Sequence, residues 1–330
     1  MDNLTHTLYG FALAKAGFER TSRHATAAIL IGANLPDIDL GTVAWGQINY
    51  LKYHRGLTHS LFGIAVESLL LTFIFIGFQK SVTCRDRLKS FFRLYLASLV
   101  GTGSHVLLDY TNSYGIRPFL PFNSEWYSLD MVFIIDPWIL AFFLFGLGMT
   151  YLFRLINQEI GARPTSLRSG AIFCLILISG YWIAKSFSHR SALRELEHQS
   201  YVSGEPVSLG SFPLFMNPFG WSGVVETSRA FHLRFTGWSP FPSTKKGKSA
   251  RSLYKPEQTE ILRAVSQGDV ARTFLDFARY PFFQIMSTPN GYEVEARDLR
   301  FEFAGRIRKS FRYEAKLDSR LNILSEQFRF

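Results

Sequence analysis

The sequence predicts a membrane all-α N-terminal helical bundle, followed by a smaller α+β domain outside the membrane. Apolar residues make up 47% of the 330 residues, and they are concentrated in long runs in the first part of the chain. After Phe187 the composition changes, because Ser, Gly and Pro become frequent and apolar residues begin to alternate with polar ones. We therefore predict a multi-spanning membrane domain at residues 1–189 and an α+β soluble domain at residues 190–330.

Long apolar runs predict the spanning helices. Each is about as long as a helix that crosses ~30 Å of hydrocarbon, and a soluble core does not accommodate so many of them. Two shorter apolar stretches near the start predict a re-entrant or spanning hairpin. The long runs are Leu61–Phe78, Phe91–Leu108, Val132–Phe153 and Ser169–Phe187, and the short ones are Leu4–Phe18 and Ala25–Leu35.

The net charge of +10 predicts an orientation in the membrane and not a nucleic-acid partner, because the cations lie mostly beside the apolar runs. Basic loops stay on the cytoplasmic side of a membrane. Arg85 and Arg87 follow the first long run, and Arg154 and Arg163 follow the third. The loops between these would then lie on the opposite, extracytoplasmic side.

The C-terminal part alternates well enough to predict strands over Val224–Phe235 and Tyr292–Phe303, with a possible third at Phe311–Leu324. Helical patterns cover Pro256–Gln267 and Asp269–Arg279. The mixture predicts an α+β domain.

His105 and Asp109 are the firmest pair of candidate metal ligands. They are four residues apart in a helical run, so their side chains share one helix face and can reach a common ion. A buried hydrogen-bonded pair would have the same spacing. Small residues around them, Gly101 and Gly103, allow another helix or a ligand to approach closely.

His54 and His59 are five residues apart, which on a continuous helix would point them in different directions. We therefore predict a break at Gly56, with Thr58 capping the helix that follows. The alternative is a polar segment whose histidines lie at the lipid interface. Asp136, followed by Pro137, is predicted to cap a helix rather than to bind metal.

Asp37 and Asp39 follow an apolar stretch and offer two carboxylates, of which one could bind metal and the other act as general base. His6 is a further candidate ligand. Arg55 could hold a substrate phosphate or pair with Asp37 or Asp39. Imidazole and carboxylate donors without a thiolate favour zinc, manganese or iron in a catalytic site, with room for one or two ions.

These segments resemble a known family. Met1-Asp2-Asn3-Leu4-Thr5-His6, Pro36-Asp37-Ile38-Asp39, the stretch from His54 to Ser60 and Ser104-His105-Val106-Leu107-Leu108-Asp109 are similar to motifs of the YdjM-like inner-membrane proteins, described as metal-dependent hydrolases. Their order also resembles the zinc-dependent phospholipase C and nuclease superfamily. The resemblance covers roughly the first 190 residues, and the His-x3-Glu pair that would complete a three-zinc site is missing.

The resemblance implies a multi-pass protein of the bacterial inner (cytoplasmic) membrane, with a divalent metal, zinc, held by His6, Asp37 or Asp39, His54 or His59, His105 and Asp109. Its partners would be the lipid bilayer and a lipid or phosphoester substrate, cleaved through metal-activated water at the bilayer surface. We expect the site and the C-terminal domain to be extracytoplasmic. The alternatives are a non-catalytic membrane protein with a structural or transported metal ion, and a membrane anchor for a working C-terminal domain.

Overall fold

The computed structural model describes residues 1–78, 84–238, 251–257, 259–302 and 311–329. Packing divides the chain into two compact units. The helical unit contains Met1–Asp39 and Arg55–Lys185, and the sheet unit contains Leu40–His54 and Ser186–Phe330. The predicted domain boundary between residues 189 and 190 stays a prediction, since compact packing is not proof of an independently folding domain.

The N-terminal part consists of helices, and a long irregular segment at residues 112–136 connects the fifth helix to the sixth. They are α1 (Asn3–Ala16), α2 (Ala25–Gly32), α3 (Gln47–Tyr53), α4 (Leu61–Gly77), α5 (Cys84–Thr111), α6 (Pro137–Phe143), α7 (Met149–Glu159) and α8 (Leu167–Glu197). A short π-helix, Leu144–Gly148, joins α6 to α7, and segments of 3-10 helix cover Leu35–Trp45 and Leu57–His59. The predicted helical bundle is confirmed.

Four helical segments are long and apolar enough to cross a membrane, and a further broken pair, Gln47–His59 with Leu61–Gly77, qualifies when its parts are taken together. The four are Ala25–Trp45, Arg85–Thr111, Pro137–Glu159 and Leu167–Glu197. The predicted cap of the third long helix at Asp136 is confirmed. Asp136 accepts hydrogen bonds from the Trp138 and Ile139 amides, so the helix begins at Pro137 and not at Val132.

Close packing of α2 on α5 fixes the helices that carry the candidate ligands. A side chain at Gly101 would lie 2.5 Å from the Ile29 carbonyl oxygen, so only glycine permits this approach. Ala25, Ala28 and Leu94 are buried in the same core. α5 also packs against α4, where Ser68 and Thr102 share a hydrogen bond of 2.8 Å between their hydroxyl groups.

The sheet unit contains two antiparallel four-stranded sheets, each in sequential strand order. The first has β1 (Pro206–Pro213), β2 (Gly220–Thr227), β3 (Ala230–Gly237) and β4 (Arg251–Tyr254), and the second has β5 (Pro281–Thr288), β6 (Gly291–Asp298), β7 (Arg312–Asp318) and β8 (Ile323–Arg329). Helices α9 (Thr259–Val265) and α10 (Asp269–Phe277) lie between them in sequence. The smaller α+β domain is confirmed.

Two of the predicted strands are in fact hairpins. The predicted strand Val224–Phe235 contains the turn between β2 and β3, where the Thr227 hydroxyl accepts the Ala230 amide. The predicted strand Phe311–Leu324 contains the turn between β7 and β8, where Asp318 accepts the Asn322 amide at 2.8 Å. Side chains that satisfy backbone amides stabilise such turns, and alternation of polarity does not reveal them.

Candidate metal centre

Four side chains of the helical unit converge in one buried cluster, which we call the metal centre. It consists of Asp37 from the turn after α2, His59 from the turn before α4, and His105 and Asp109 from α5. Each offers one ligand atom, and these four atoms lie within 4.8 Å of one another. The side chains of His59, His105 and Asp109 are fully buried, and that of Asp37 is 6% exposed.

The distances between the ligand atoms match those around a small tetrahedral ion. The two imidazole Nε2 atoms of His59 and His105 are 3.1 Å apart. Asp109 Oδ2 lies 3.3 and 3.5 Å from them, and Asp37 Oδ1 lies 3.6 and 3.5 Å from them. A tetrahedral zinc with bonds of about 2.0–2.1 Å separates its ligand atoms by about 3.3–3.4 Å.

Hydrogen bonds fix the tautomer of His105. Its Nδ1 lies 2.8 Å from the Ala33 carbonyl oxygen, which can only accept a hydrogen bond. The proton of a neutral ring is therefore on Nδ1, and the lone pair of Nε2 points into the metal centre.

Hydrogen bonds also fix the tautomer of His59. The Thr58 hydroxyl donates to Asp39 Oδ2 at 2.6 Å and so accepts from His59 Nδ1, which is 3.0 Å away. The Nε2 lone pairs of His59 and His105 thus face each other. Such an arrangement is repulsive between neutral rings, and a cation between them removes the repulsion.

The two carboxylate oxygens of Asp109 have different contacts. Its Oδ1 contacts the Met1 amino group and accepts from Arg55 Nη2 at 3.0 Å. Its Oδ2 is buried and has no hydrogen-bond partner among the residues that the structure describes, although it faces both imidazoles. A buried carboxylate oxygen with no donor is costly unless a cation satisfies it. The donor set therefore fits a divalent metal ion.

Arg55 is placed to orient Asp109. Its side chain is nearly buried, its Nη1 donates to Asn112 Oδ1 at 2.9 Å, and its guanidinium lies 4.7 Å from the ring centroid of Tyr114. From the sequence we predicted that Arg55 either holds a substrate phosphate, which stays a prediction, or pairs with Asp37 or Asp39. The side chain pairs with Asp109 instead, and only the Arg55 backbone amide donates to Asp39, at 3.0 Å.

Asp39 supports the metal centre through His59. Its Oδ2 lies 3.3 Å from His59 Nδ1 and accepts the Thr58 hydroxyl, so it holds the ring in the orientation described above. Thr58 is therefore not the helix cap that was predicted. Ser60 caps α4, because its hydroxyl accepts the Gly63 amide at 2.9 Å. The predicted break near Gly56 is confirmed, since α3 ends at Tyr53 and α4 begins at Leu61.

His6 and His54 are not among the four residues of the metal centre. The His6 ring stacks on His105 with centroids 3.7 Å apart, and His6 Nε2 is 2.9 Å from the Met1 amino nitrogen and 3.4 Å from Asp109 Oδ1. It borders the metal centre without joining the four converging atoms. His54 follows the last residue of α3 in the sheet unit, where its ring stacks on Tyr50.

Three groups at or near the site were missed in the sequence. Asn112 comes three residues after Asp109 and therefore shares its helix face, a spacing that could have revealed it. The Ala33 carbonyl has no side-chain signal. Glu67 is a carboxyl group within the apolar run of α4, and ionisable groups at membrane depth are a signal for function.

Comparisons with known proteins agree with the helical part. A family profile described as YdjM inner membrane protein matches residues 1–190. The chain is also 25% identical over 315 residues to an uncharacterized protein, YfhP of Bacillus subtilis (strain 168), covering 92% of this chain and 88% of that protein. No solved structure matches.

Proposed function

This chain belongs to the YdjM inner membrane protein family, and from that premise we propose that it is an integral membrane hydrolase that binds zinc and cleaves a phosphoester or a lipid-derived ester at the bilayer surface. The observation that carries the proposal is the convergence of two imidazole lone pairs and two carboxylate oxygens on one point. A bound zinc ion acts as a Lewis acid and lowers the pKa of its water, which supplies a nucleophile at neutral pH.

We assign the three fully buried side chains, His59, His105 and Asp109, to holding the ion. Two imidazoles and a carboxylate are a frequent catalytic zinc set, which leaves a fourth position open. The hydrogen bonds of His105 to Ala33 and of His59 to Thr58 keep both rings aimed at that ion.

Asp37 is the proposed general base. Its Oδ1 lies 3.6 Å from His59 Nε2, compared with 3.3 Å for Asp109 Oδ2, and its side chain retains some exposure. A carboxylate at the rim of the centre can take the proton of an attacking water at Oδ1. Asp39 is less suited to this role, since its Oδ2 already accepts the Thr58 hydroxyl and the Arg55 amide.

A structural metal ion is the second candidate. Four protein donors around one buried point resemble a closed structural site, and membership of the family does not require turnover. The two candidates differ in Asp37. It ligates in the structural site, so Asp37→Asn weakens metal binding, whereas in the hydrolase the same change abolishes turnover and keeps the metal.

Metal content measured on the purified full-length protein tests the site. We expect about one zinc per chain in the wild type, nearly none in the double variant His105→Ala/Asp109→Ala, and the wild-type content in His24→Ala. His24 is a matched control because it lies in the same unit and is not among the four converging residues. Unchanged metal content in the double variant would refute the assignment.

A substrate screen tests hydrolysis separately. The zinc-loaded protein is offered phosphodiesters, phosphomonoesters and phospholipid vesicles, with the double variant as the blank. Turnover by the wild type and none by the double variant supports the hydrolase. Full zinc content without any turnover supports the structural metal instead.

We further propose that the protein lies in the bacterial inner membrane and that the metal centre and the C-terminal domain are extracytoplasmic. The basic residues after α4 and after α7 support this orientation. Reporter fusions after residue 84 and after residue 198 test it, with the first expected to be cytoplasmic and the second extracytoplasmic. A cytoplasmic reporter after residue 198 would overturn the orientation.

A further inference from the structure

An apolar groove runs along the outside of α4 and α5 in the helical unit, and we call it the α4–α5 groove. Its volume is about 640 Å³, and its lining includes Leu61 and Ile64 of α4, Val106 and Leu107 of α5, and Ile116 and Phe119 from the segment after α5. Pockets that bury small ligands have volumes of about 300–1,000 Å³. The groove is therefore large enough for a flexible hydrocarbon chain.

In a membrane, the groove would open towards hydrocarbon. Both helices belong to segments that are apolar enough to cross a membrane. Leu61 and Leu107 at the mouth are 59% and 46% exposed, and the tyrosines Tyr110 and Tyr127 are the polar exceptions in its wall. Within a bilayer, an apolar cleft on the outside of spanning helices is continuous with the acyl chains of the lipids.

A hairpin covers one end of the groove. Ile116 and Tyr127 pair through two backbone hydrogen bonds of 2.9 Å, and the chain between them turns back on itself. Phe122 at its tip is 89% exposed, and Phe119, which lines the groove, is 46% exposed. Exposed apolar side chains grouped at a loop tip mark a surface that meets a partner or a membrane.

The base of the same hairpin has an interfacial character. The Arg117 guanidinium lies 4.3 Å from the ring centroid of Trp126. Trp, Tyr and Arg are typical of the level of the lipid headgroups. The exposed polar residues Asn123 and Glu125 follow Phe122, so the hairpin presents apolar and polar groups together, as a segment at the membrane interface does.

The hairpin is connected to the metal centre by hydrogen bonds. The Arg117 amide donates to the Arg55 carbonyl oxygen at 3.3 Å, while the Arg55 side chain holds Asp109. The Leu61 amide donates to the Pro118 carbonyl oxygen at 2.9 Å, two residues after His59. Along α5, Val106 and Tyr110 directly follow His105 and Asp109, so the groove and the metal centre lie at the same depth on different faces of the helix.

We propose that the α4–α5 groove holds one acyl chain of a membrane lipid, so that the substrate of the metal centre is a lipid phosphoester whose headgroup lies beside the hairpin. The substrate role rests on the proposed function, whereas the binding of the acyl chain does not. The chain enters sideways from the bilayer, which requires no aqueous path for the hydrocarbon.

Gly103 provides a way to fill the groove without disturbing the fold. It lines the groove, and a Cβ atom at this position meets no atom within 4 Å among the described residues. Gly180 on α8 is equally open and lies in another spanning segment. Gly103→Leu and Gly180→Leu therefore make the same change inside and outside the groove, and leucine favours a helix over glycine at both.

Photolabelling tests the binding of the chain. The full-length protein is reconstituted in vesicles of phosphatidylethanolamine and phosphatidylglycerol that contain a phospholipid with a photoactivatable group in one acyl chain. The labelling ratio is the amount of label on the peptides that contain Leu107 and Phe119, divided by the amount of label on the peptides of α8. Loss of apolar pocket contacts typically weakens recognition by about 10-fold or more, so we expect about a 10-fold lower ratio in Gly103→Leu and no change in Gly180→Leu.

A second variant that fills the groove, Leu107→Trp, keeps the test valid if Gly103→Leu does not fold. It should lower the labelling ratio in the same way. Equal ratios in the wild type and in both filling variants would overturn the proposal. Zinc content, measured on each sample, reports whether the helical unit has kept its fold.

The substrate role is tested by the ratio of turnover of a phospholipid to turnover of a water-soluble phosphodiester. We expect Gly103→Leu to lower this ratio by about 10-fold, with Gly180→Leu at the wild-type value. Lower labelling with an unchanged turnover ratio would overturn the substrate half of the proposal. No turnover of either ester by the wild type would refute the proposed function, and the labelling result would still decide whether the groove binds the chain.

Discussion

The metal centre and the pair formed by Asp298 and Arg300 both bury charge, yet they do so in opposite ways. In the sheet unit, Arg300 Nη2 donates to Asp298 Oδ2 at 2.7 Å and to the Phe277 carbonyl oxygen at 2.7 Å. Asp298 Oδ1 accepts the Arg300 amide at 3.0 Å. The two residues satisfy each other, and nothing in their geometry requires a ligand.

The metal centre is different because several of its lone pairs have no hydrogen-bond donor opposite them in the part of the chain that the structure describes. Two imidazole lone pairs and Asp109 Oδ2 face one another, and Arg55 and the Met1 amino group lie on the other oxygen of that carboxylate. Burial of charge alone therefore does not identify a functional site. A cluster that is incomplete without a cation does so, whereas a pair that is complete by itself indicates structure.

Removing one donor should break the metal centre entirely. Binding of structural zinc contributes about 10–16 kcal/mol in small zinc domains, and this free energy is shared among only three or four ligands. Because His59→Ala removes one of them, we expect it to lose nearly all bound zinc and all hydrolytic turnover. Zinc content by mass spectrometry of the purified protein measures this, with His24→Ala as the control. Retention of zinc by His59→Ala at the wild-type level would contradict the assignment.

Removing one partner of the sheet-unit pair should cost stability and leave the metal unaffected. Asp298→Ala leaves the Arg300 guanidinium buried without its carboxylate, which typically costs about 3–5 kcal/mol. Hydrogen exchange of the β6 amides in the full-length protein measures the loss. The double variant Asp298→Leu/Arg300→Met should cost less than Asp298→Ala, and an equal or larger cost would show that the charges themselves stabilise the unit.

Asp39 should have an intermediate effect, because it orients His59 and does not face the ion in our assignment. Changing a residue that orients a ligand lowers metal affinity by about 10–100-fold. We expect Asp39→Asn to weaken zinc binding by that factor in a chelator competition, with Glu19→Gln unchanged. Complete loss of zinc would make Asp39 a ligand, and no change would remove it from the site.

His232 should give the smallest effect. Burial, and then the neighbouring Arg234, lower the pKa of His232, whose Nδ1 is 2.9 Å from the Ser252 hydroxyl. The unfolded chain therefore takes up a proton below about pH 6.5 while the folded one does not, so stability falls as the solution is acidified. Protection of the β3 amides should decrease with acidification in the wild type and less in His232→Gln. The same slope in both would contradict this account.

Much of the helical unit could be predicted from the sequence. The apolar runs predicted α4, α5 and α8, because hydrocarbon thickness sets the length of such helices. Hydropathy alone would start the third long helix near Val132, but the Asp136-Pro137 pair predicted the later start that the structure shows. In the sheet unit, alternation did not reveal that β2 and β3 form a hairpin, because the turn depends on the Thr227 hydroxyl.

For the site, helical spacing was enough to pair His105 with Asp109, and the glycine break was enough to separate His54 from His59. Spacing could not decide between Asp37 and Asp39, because the difference lies in long-range contacts: one carboxylate faces the imidazole Nε2 atoms, and the other faces His59 Nδ1. The pairing of Arg55 with Asp109 could not be predicted either, since it depends on how α5 packs against the turn that precedes α4.

X-ray absorption at the zinc edge of the purified full-length protein tests the central claim most directly. The account predicts a shell of nitrogen and oxygen ligands at about 2.0–2.1 Å, with imidazole scattering from two rings and no sulfur at about 2.3 Å. In His105→Ala the imidazole contribution should fall by half or the zinc should be lost. A zinc shell with sulfur, or a spectrum that His105→Ala does not change, would contradict a metal centre built from Asp37, His59, His105 and Asp109.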